Sequence, residues 1–391
     1  MEYNQTKRII FFASQTQYEN LGDLTIIKIL LNNLRQYGTL VINEEEVPEW
    51  FCQELDIKDD EKASKYRIKF FILMLVFAFK ALLNQNTQIY YILTPGHRFS
   101  SPITNRFKYF IETTKKLVTL ALLKLFGVRI CVFGVSIGPF TKLDQLAEAW
   151  KAKLMYFYSV RDTKSEDYAN KIGISKVKIF PDLAWLMKTP YSSNKLLELK
   201  QDEYVIFSFR KSTNSFDDPD LYKNSLFTII DKIVAVVRQK WQKKLLISYQ
   251  VDFDYEICQE ISNRYKDDCN VIFIEKKIDS QSMYDLYSRA YIVFSNRLHV
   301  LMFAMLCGSI PVAVIDAVRH DKITSIFSDE GLMRMVIDIS DEAHLDEILH
   351  KIDADIDDIK KYIASCIERN QKSGDAIFRY VMAGERQDHT T

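Results

Sequence analysis

The stretch Tyr291–Ile315, YIVFSNRLHVLMFAMLCGSIPVAVI, decides the fold. It reads as a β-branched strand, a short turn, an apolar helix ended by Gly308, and a second buried strand. Strand–helix–strand units of this kind build parallel sheets, and ligands bind where the first strand ends and the helix begins. Arg297 and His299 fall at that point. A cation and a titratable ring at the mouth of an apolar βαβ unit suit an anionic substrate, because the helix N-terminus adds free amides and partial positive charge. The structural alternative is an arginine capping a sheet edge beside a satisfied histidine.

Composition narrows the field. Lys plus Arg and Asp plus Glu each number 52 in 391 residues, giving a formal net charge of zero. General nucleic-acid binding, which needs a clear basic excess, is disfavoured. The six cysteines are scattered without metal-ligand spacing, which suits a reducing, cytoplasmic setting. Met1–Arg8 is polar and Ile9–Ala13 is short for a signal-peptide core, so no leader is expected. The longest apolar run, Phe70–Phe79, falls short of a bilayer span.

Strand and helix signals alternate through the first half. Strands are predicted at Arg8–Ala13, Thr39–Ile42, Gln88–Leu93, Val128–Gly134, Tyr156–Val160 and Lys176–Phe180. Helices are predicted at Leu21–Tyr37, Glu61–Leu83, Phe107–Phe126, Leu143–Leu154 and Asp162–Lys171. A polar stretch between Lys188 and Asp202, with Pro190, Ser192, Ser193 and Asn194, marks a domain boundary. Beyond it the alternation restarts with strands Tyr204–Phe209, Lys244–Ser248 and Asn270–Ile274, interleaved with helices, and reaches the opening unit. Helices near Lys322–Phe327, Glu342–Ile352 and Ile356–Arg369 are predicted to finish the chain. The expected architecture is α/β, with two Rossmann-like domains built on parallel sheets and facing a cleft. Residues 1–190 form the acceptor side and 200–355 the donor side. Residues 356–391 form helices that pack back on the first domain, with a tail.

Further candidates lie at other strand ends. Arg210 follows the first strand of the second half in VIFSFRKS, where the alternative is a solvated loop arginine. Asn20 and Asp23, in NLGD, open a helix after the first strand; they are either helix caps or, for Asp23, a carboxylate for a substrate hydroxyl. Gly134 and Gly138, in GVSIGP, permit close backbone approach to a ligand. Arg161, Asp162 and Asp182 are read as structural, the first two as a pair. No dinucleotide fingerprint, Walker loop or nucleophile elbow is present, and His97, His299 and His320 have no ligand-like spacing, so no metal is expected.

Taken in order, NLGD at Asn20–Asp23, GVSIGPF at Gly134–Phe140, SVRDTKS at Ser159–Ser165, FPDLAW at Phe180–Trp185, FSFRKS at Phe207–Ser212 and SNRLHVLMFAMLCGSIPVAVI at Ser295–Ile315 resemble the polysaccharide pyruvyl transferase family. The resemblance implies a fold like the two-domain GT-B glycosyltransferases. It also implies phosphoenolpyruvate as donor, with no further cofactor, and pyruvate attached as a cyclic ketal to a sugar of a cell-surface polysaccharide or its lipid-linked precursor. Arg210, Arg297 and His299 would form the donor site, with Lys322 where the family carries a lysine. Two departures stand out: TPGHR at Thr94–Arg98 keeps one glycine of a usual glycine-rich turn, and Asn296 replaces a small or sulfur-containing residue.

His299 suits the acid that protonates the methylene carbon, while Arg210 and Arg297 suit the carboxylate and phosphate. The alternative is a GT-B glycosyltransferase whose arginines grip a nucleotide-sugar diphosphate. The basic and apolar segments Lys65–Lys80 and Arg106–Lys124 either rest peripherally on the inner face of an anionic membrane or pack into a core or a homo-oligomer interface.

Overall fold

Thirteen strands, all paired in parallel, build two sheets in the computed structural model, which describes residues 6–84, 86–100, 106–188, 199–211 and 218–385. Most of the polar boundary stretch, including Pro190, Ser192, Ser193 and Asn194, lies outside the described residues, as does Ser212. The side chains of Arg106 and Phe107 do too. The chain divides into two compact units. One comprises residues 1–18, 23–183 and 372–391, the other residues 19–22 and 184–371.

The first unit holds β1 (Lys7–Ala13), β2 (Thr39–Asn43), β3 (Thr87–Ile92), β4 (His97–Arg98), β5 (Arg129–Ile137), β6 (Phe157–Val160) and β7 (Lys178–Ile179). Their order is β2-β1-β3-β5-β6-β7, with β4 pairing β5. Ile10, Phe11 and Phe12 are fully buried, as expected of a strand covered on both faces. Helices Phe70–Leu83 and Arg106–Leu125 cover one side, burying Leu73, Met74, Ala78, Leu120 and Leu123 in a cluster with Phe11 and Ile130.

The single helix predicted over Glu61–Leu83 is broken into 3-10 turns at 59–61 and 63–66 and a helix from Phe70. Glu61 explains the break. Its carboxylate takes both Arg35 Nε and a second Arg35 nitrogen at 2.8 Å and accepts the Lys58 amide. Glu44 holds the amides of Ala63 and Ser64. Arg161 pairs with Asp182, at 2.5 Å, and not with its neighbour Asp162. Asp162 instead caps the helix Thr163–Lys171 and accepts from Ser136. The last helix, Ile356–Phe378, runs nine residues further than the sequence suggests. Phe378 packs on Phe133 and Phe180 of the first unit, with centroids 4.7 and 5.2 Å away.

The second unit holds β8 (Tyr204–Ser208), β9 (Lys244–Ile247), β10 (Val271–Phe273), β11 (Ile292–Ser295), β12 (Ile310–Ile315) and β13 (Val336–Asp338). Their order, β10-β9-β8-β11-β12-β13, is the doubly wound Rossmann arrangement, with its switch point between β8 and β11. Strand β13 was not expected from sequence; its three residues are too few to show a period. The helix Leu298–Leu306 buries every residue from Val300 to Leu306, as its all-round apolar sequence requires.

Glu148 tests the packing of the first unit. It is buried, yet Arg98 at 2.7 Å and Lys151 at 3.0 Å hold it ionised. Burial opposes the charge, but these cations outweigh it and pull the carboxyl down to about 2. The contribution is therefore complete above the ordinary glutamate range and is lost as pH falls toward that value. Glu148→Gln is expected to cost about 3 kcal/mol in urea denaturation at neutral pH, with the deficit shrinking in acid. A constant deficit would count against the ion pairs.

Candidate active site

The switch point of the second unit carries two arginines in equivalent positions. Register pairs Ser208 with Ser295, and the chain then continues two residues from each to Arg210 and Arg297. Side chains lock these ends together. Ser295 Oγ donates to the Ser208 carbonyl at 2.5 Å and accepts the Arg297 amide at 3.0 Å. Asn296, fully buried, accepts the Arg210 amide at 2.7 Å. It returns one Nδ2 proton to the Arg210 carbonyl at 3.0 Å and gives the other to Tyr222 Oη at 2.8 Å. All three hydrogen bonds are of good length, and together they extend the β8–β11 pairing beyond the last ladder residue.

Asp254, at the end of a 3-10 turn after β9, supplies the counter-charge. It takes an Arg297 terminal nitrogen at 2.6 Å and also pairs with Arg297 Nε. Burial keeps the Asp254 carboxyl above its usual range in spite of Arg297. Burial also lowers the Arg210 pKa, and the charge of Arg297 lowers it further. Among the described residues no carboxylate forms an ion pair with Arg210. The one reluctant carboxylate is thus paired with Arg297, positive charge is left in excess in a desolvated setting, and a bound anion would relieve that imbalance.

His299 sits in the first turn of the helix Leu298–Leu306, its ring stacked 5.9 Å from Phe303 one turn on. A Cβ at Gly22 would lie 2.1 Å from His299 Nδ1, so the glycine backbone lies directly against the imidazole. Asn20 shapes that approach by accepting the Gly22 amide at 3.0 Å. Lys277 links the neighbouring Glu19 to Asp252, at 2.7 and 2.9 Å.

His320 and Tyr222 belong to the same cluster, although sequence reasoning did not select them. Their rings lie 6.0 Å apart. Burial, followed by the Arg210 charge, lowers the His320 pKa against a hydrogen bond from Nδ1 to the Asp316 carbonyl at 3.1 Å. A carbonyl only accepts, so Nδ1 carries the proton of the neutral ring. Burial pushes the Tyr222 hydroxyl up to about 12. Lys322 is exposed in the first turn of the helix Asp321–Asp329, two residues past His320.

The remaining candidates lie in the first unit. Asp23 accepts the Thr16 hydroxyl at 3.0 Å. Gly134 and Gly138 have φ of 58° and 87°. A Cβ on Gly134 would meet the Pro181 carbonyl at 3.0 Å, and one on Gly138 the Tyr168 ring at 2.7 Å. The close approach that the sequence reading gives to a ligand is made here by protein groups. Gly138 also accepts from His97 Nε2 at 2.8 Å.

A profile of the polysaccharide pyruvyl transferase family matches residues 20–316, which contain every one of these site residues except His320 and Lys322. The chain belongs to the polysaccharide pyruvyl transferase family. It is therefore an enzyme of polysaccharide modification, and the family implies a saccharide acceptor. No curated protein matches the chain significantly in sequence.

Solved structures show the fold. A Listeria monocytogenes protein described as a UDP-N-acetylglucosamine 2-epimerase aligns with a TM-score of 0.59 at 10% identity, over 98% of this chain and 100% of its own. The Neisseria meningitidis UDP-GlcNAc 2-epimerase bound to UDP-GlcNAc gives 0.55 at 11%, over 97% and 100%. The Anabaena protein Alr3699/HepE in complex with UDP-glucose gives 0.55 at 10%, over 96% and 98%. This pyruvyl transferase family member shares the GT-B fold of those proteins, as its sequence suggests.

Asn296→Ala leaves the Arg210 amide and carbonyl unsatisfied at the edge of the sheet. It is expected to lower stability by about 2–3 kcal/mol and to loosen Arg210. Chemical denaturation reads the first effect. An unchanged midpoint would show that the Asn296 bridge carries no weight.

Proposed function

We propose that the protein transfers pyruvate from phosphoenolpyruvate to a saccharide hydroxyl pair, forming a cyclic ketal. The observation that carries this reading is the pair of arginines at the switch point, of which Arg297 is paired with Asp254. Phosphoenolpyruvate brings a carboxylate and a phosphate on adjacent atoms, and two adjacent guanidinium groups match that demand. The saccharide acceptor belongs to a cell-surface polysaccharide or its lipid-linked precursor.

The reaction forms two C–O bonds at the central carbon of the donor. The bond to phosphate breaks, and the methylene gains a proton to become methyl. One hydroxyl proton balances the methyl group and the other leaves with phosphate. His299 is the proposed acid for the methylene carbon, since imidazole donates and regains a proton near neutral pH. Arg210 and Arg297 hold the donor and stabilise the departing phosphate. Neutral His320, with its proton on Nδ1, fits beside the phosphate. Lys322 adds charge at the rim, and Asp23 is the proposed acceptor-side base.

A nucleotide-sugar glycosyltransferase is the competing reading, because UDP-sugars occupy two of the similar folds. An acid does follow β12, at Asp316, where a ribose would seek one. Its carboxylate instead takes the turn amides of Val318 and Arg319, each at 3.0 Å.

The test is phosphate release from phosphoenolpyruvate in the presence of saccharide acceptors, with the ketal methyl group followed by NMR. His299→Ala is expected to lose at least ~100-fold in turnover with an unchanged melting temperature. Arg297→Lys is expected to lose roughly tenfold or more in donor affinity, because one ammonium cannot replace a planar fork. Full turnover in the histidine variant would remove His299 from the mechanism.

A further inference from the structure

Residues 62–143 hold thirteen lysines and arginines and a single acid, Glu112, in a chain whose formal net charge is zero. That acid lies 4.0 Å from Lys108. The basic segment contains the two helices that cover one side of the first unit's sheet, and both carry a second apolar face. On Phe70–Leu83, Leu73, Met74 and Ala78 point into the core. Ile72, Val76, Phe79 and Leu83, one helical turn apart, are exposed on the other side, Phe79 by 55% and Leu83 by 75%. On Arg106–Leu125 the outward stripe is Phe110, Val118, Leu122 and Leu125, the last exposed by 78%.

A third helix, Lys142–Leu154, continues the pattern with exposed Leu143, Leu146 and Trp150. The three are neighbours. A Cβ at Gly127, just past the second helix, would lie 3.8 Å from Leu82 at the end of the first. Lys124 of the second donates to the Lys153 carbonyl of the third at 2.7 Å. Lys69, Lys80, Lys108, Lys115, Lys116 and Lys124 are exposed among these stripes.

A helix apolar on every side belongs inside a core or against a membrane, and contiguous exposed apolar patches of this kind mark contact surfaces. We infer that this face of the first unit docks on the surface of an anionic lipid bilayer. Charge chooses the occupant. The lysines match acidic headgroups, whereas two copies of the same face would set positive against positive in a two-fold contact. Trp150, with Lys153 over its ring 4.9 Å from the centroid, suits the headgroup boundary. The contact is interfacial, because among the described residues no helix is long and apolar enough to cross a membrane.

The inference rests on this surface alone and holds for either donor. Its test uses the full chain without substrates, co-sedimented with phosphatidylcholine vesicles with and without phosphatidylglycerol. Binding is expected only to the anionic vesicles, weakening at high salt. Lys115→Gln/Lys116→Gln is expected to reduce partitioning by roughly 30-fold. Phe79→Glu/Leu83→Glu is expected to abolish it without altering the melting temperature, since both positions are exposed. Failure to bind anionic vesicles, equal binding to neutral ones, or undiminished binding by both variants would overturn the inference. So would a dimer, seen by ultracentrifugation, that the Phe79→Glu/Leu83→Glu variant dissociates.

Discussion

Two arginines brought to the same edge of one sheet, with a buried carboxylate paired to Arg297, set the terms for the second unit. Like charges in a low-dielectric setting repel strongly, and the fold accepts that cost by spending Ser208, Ser295, Asn296 and Tyr222 on holding the backbone in place. Asp254 balances one of the two. These bonds hold the two strand ends in place, so an anion bound there would meet a backbone that needs little reorganisation.

The first unit uses its buried charges differently. Glu148 with Arg98 and Lys151, and Arg161 with Asp182, are matched within the protein. Its positive-φ glycines at 134 and 138 let the strand β5 and its following turn press against Phe180, Pro181 and Tyr168. Such closed networks fix a backbone, whereas the open charge balance around Arg210 is what a ligand would complete.

Much of this was legible in the sequence, for physical reasons. The βαβ unit at Tyr291–Ile315 combines β-branched runs with an all-apolar helix, and it folds as Ile292–Ser295, Leu298–Leu306 and Ile310–Ile315. Arg210 and Arg297 stood out as cations directly after buried strands. Their partners did not, because no local pattern encodes a register. Asp254 and Tyr222 are more than forty residues from Arg297, and they reach the site through the pairing of β8 with both β9 and β11 and through the Asn296 amide. Asn296 looked like a departure from a family pattern, yet its amide is the clasp between the two strand ends. His320 carried no ligand-like spacing and becomes meaningful only through its position near Tyr222 and Arg210. The helix break before Phe70 escaped notice for a similar reason: the residues responsible, Arg35 and Glu44, lie well upstream.

The central claim is that the arginine pair recognises a small carboxylate-phosphate and not a nucleotide. Thermal denaturation of the full chain, titrated with phosphoenolpyruvate and in parallel with UDP-, GDP- and CMP-sugars, addresses it directly through linkage of binding to stability. The account predicts a concentration-dependent rise in melting temperature with phosphoenolpyruvate that Arg210→Ala removes. A rise produced by a nucleotide sugar alone would contradict it.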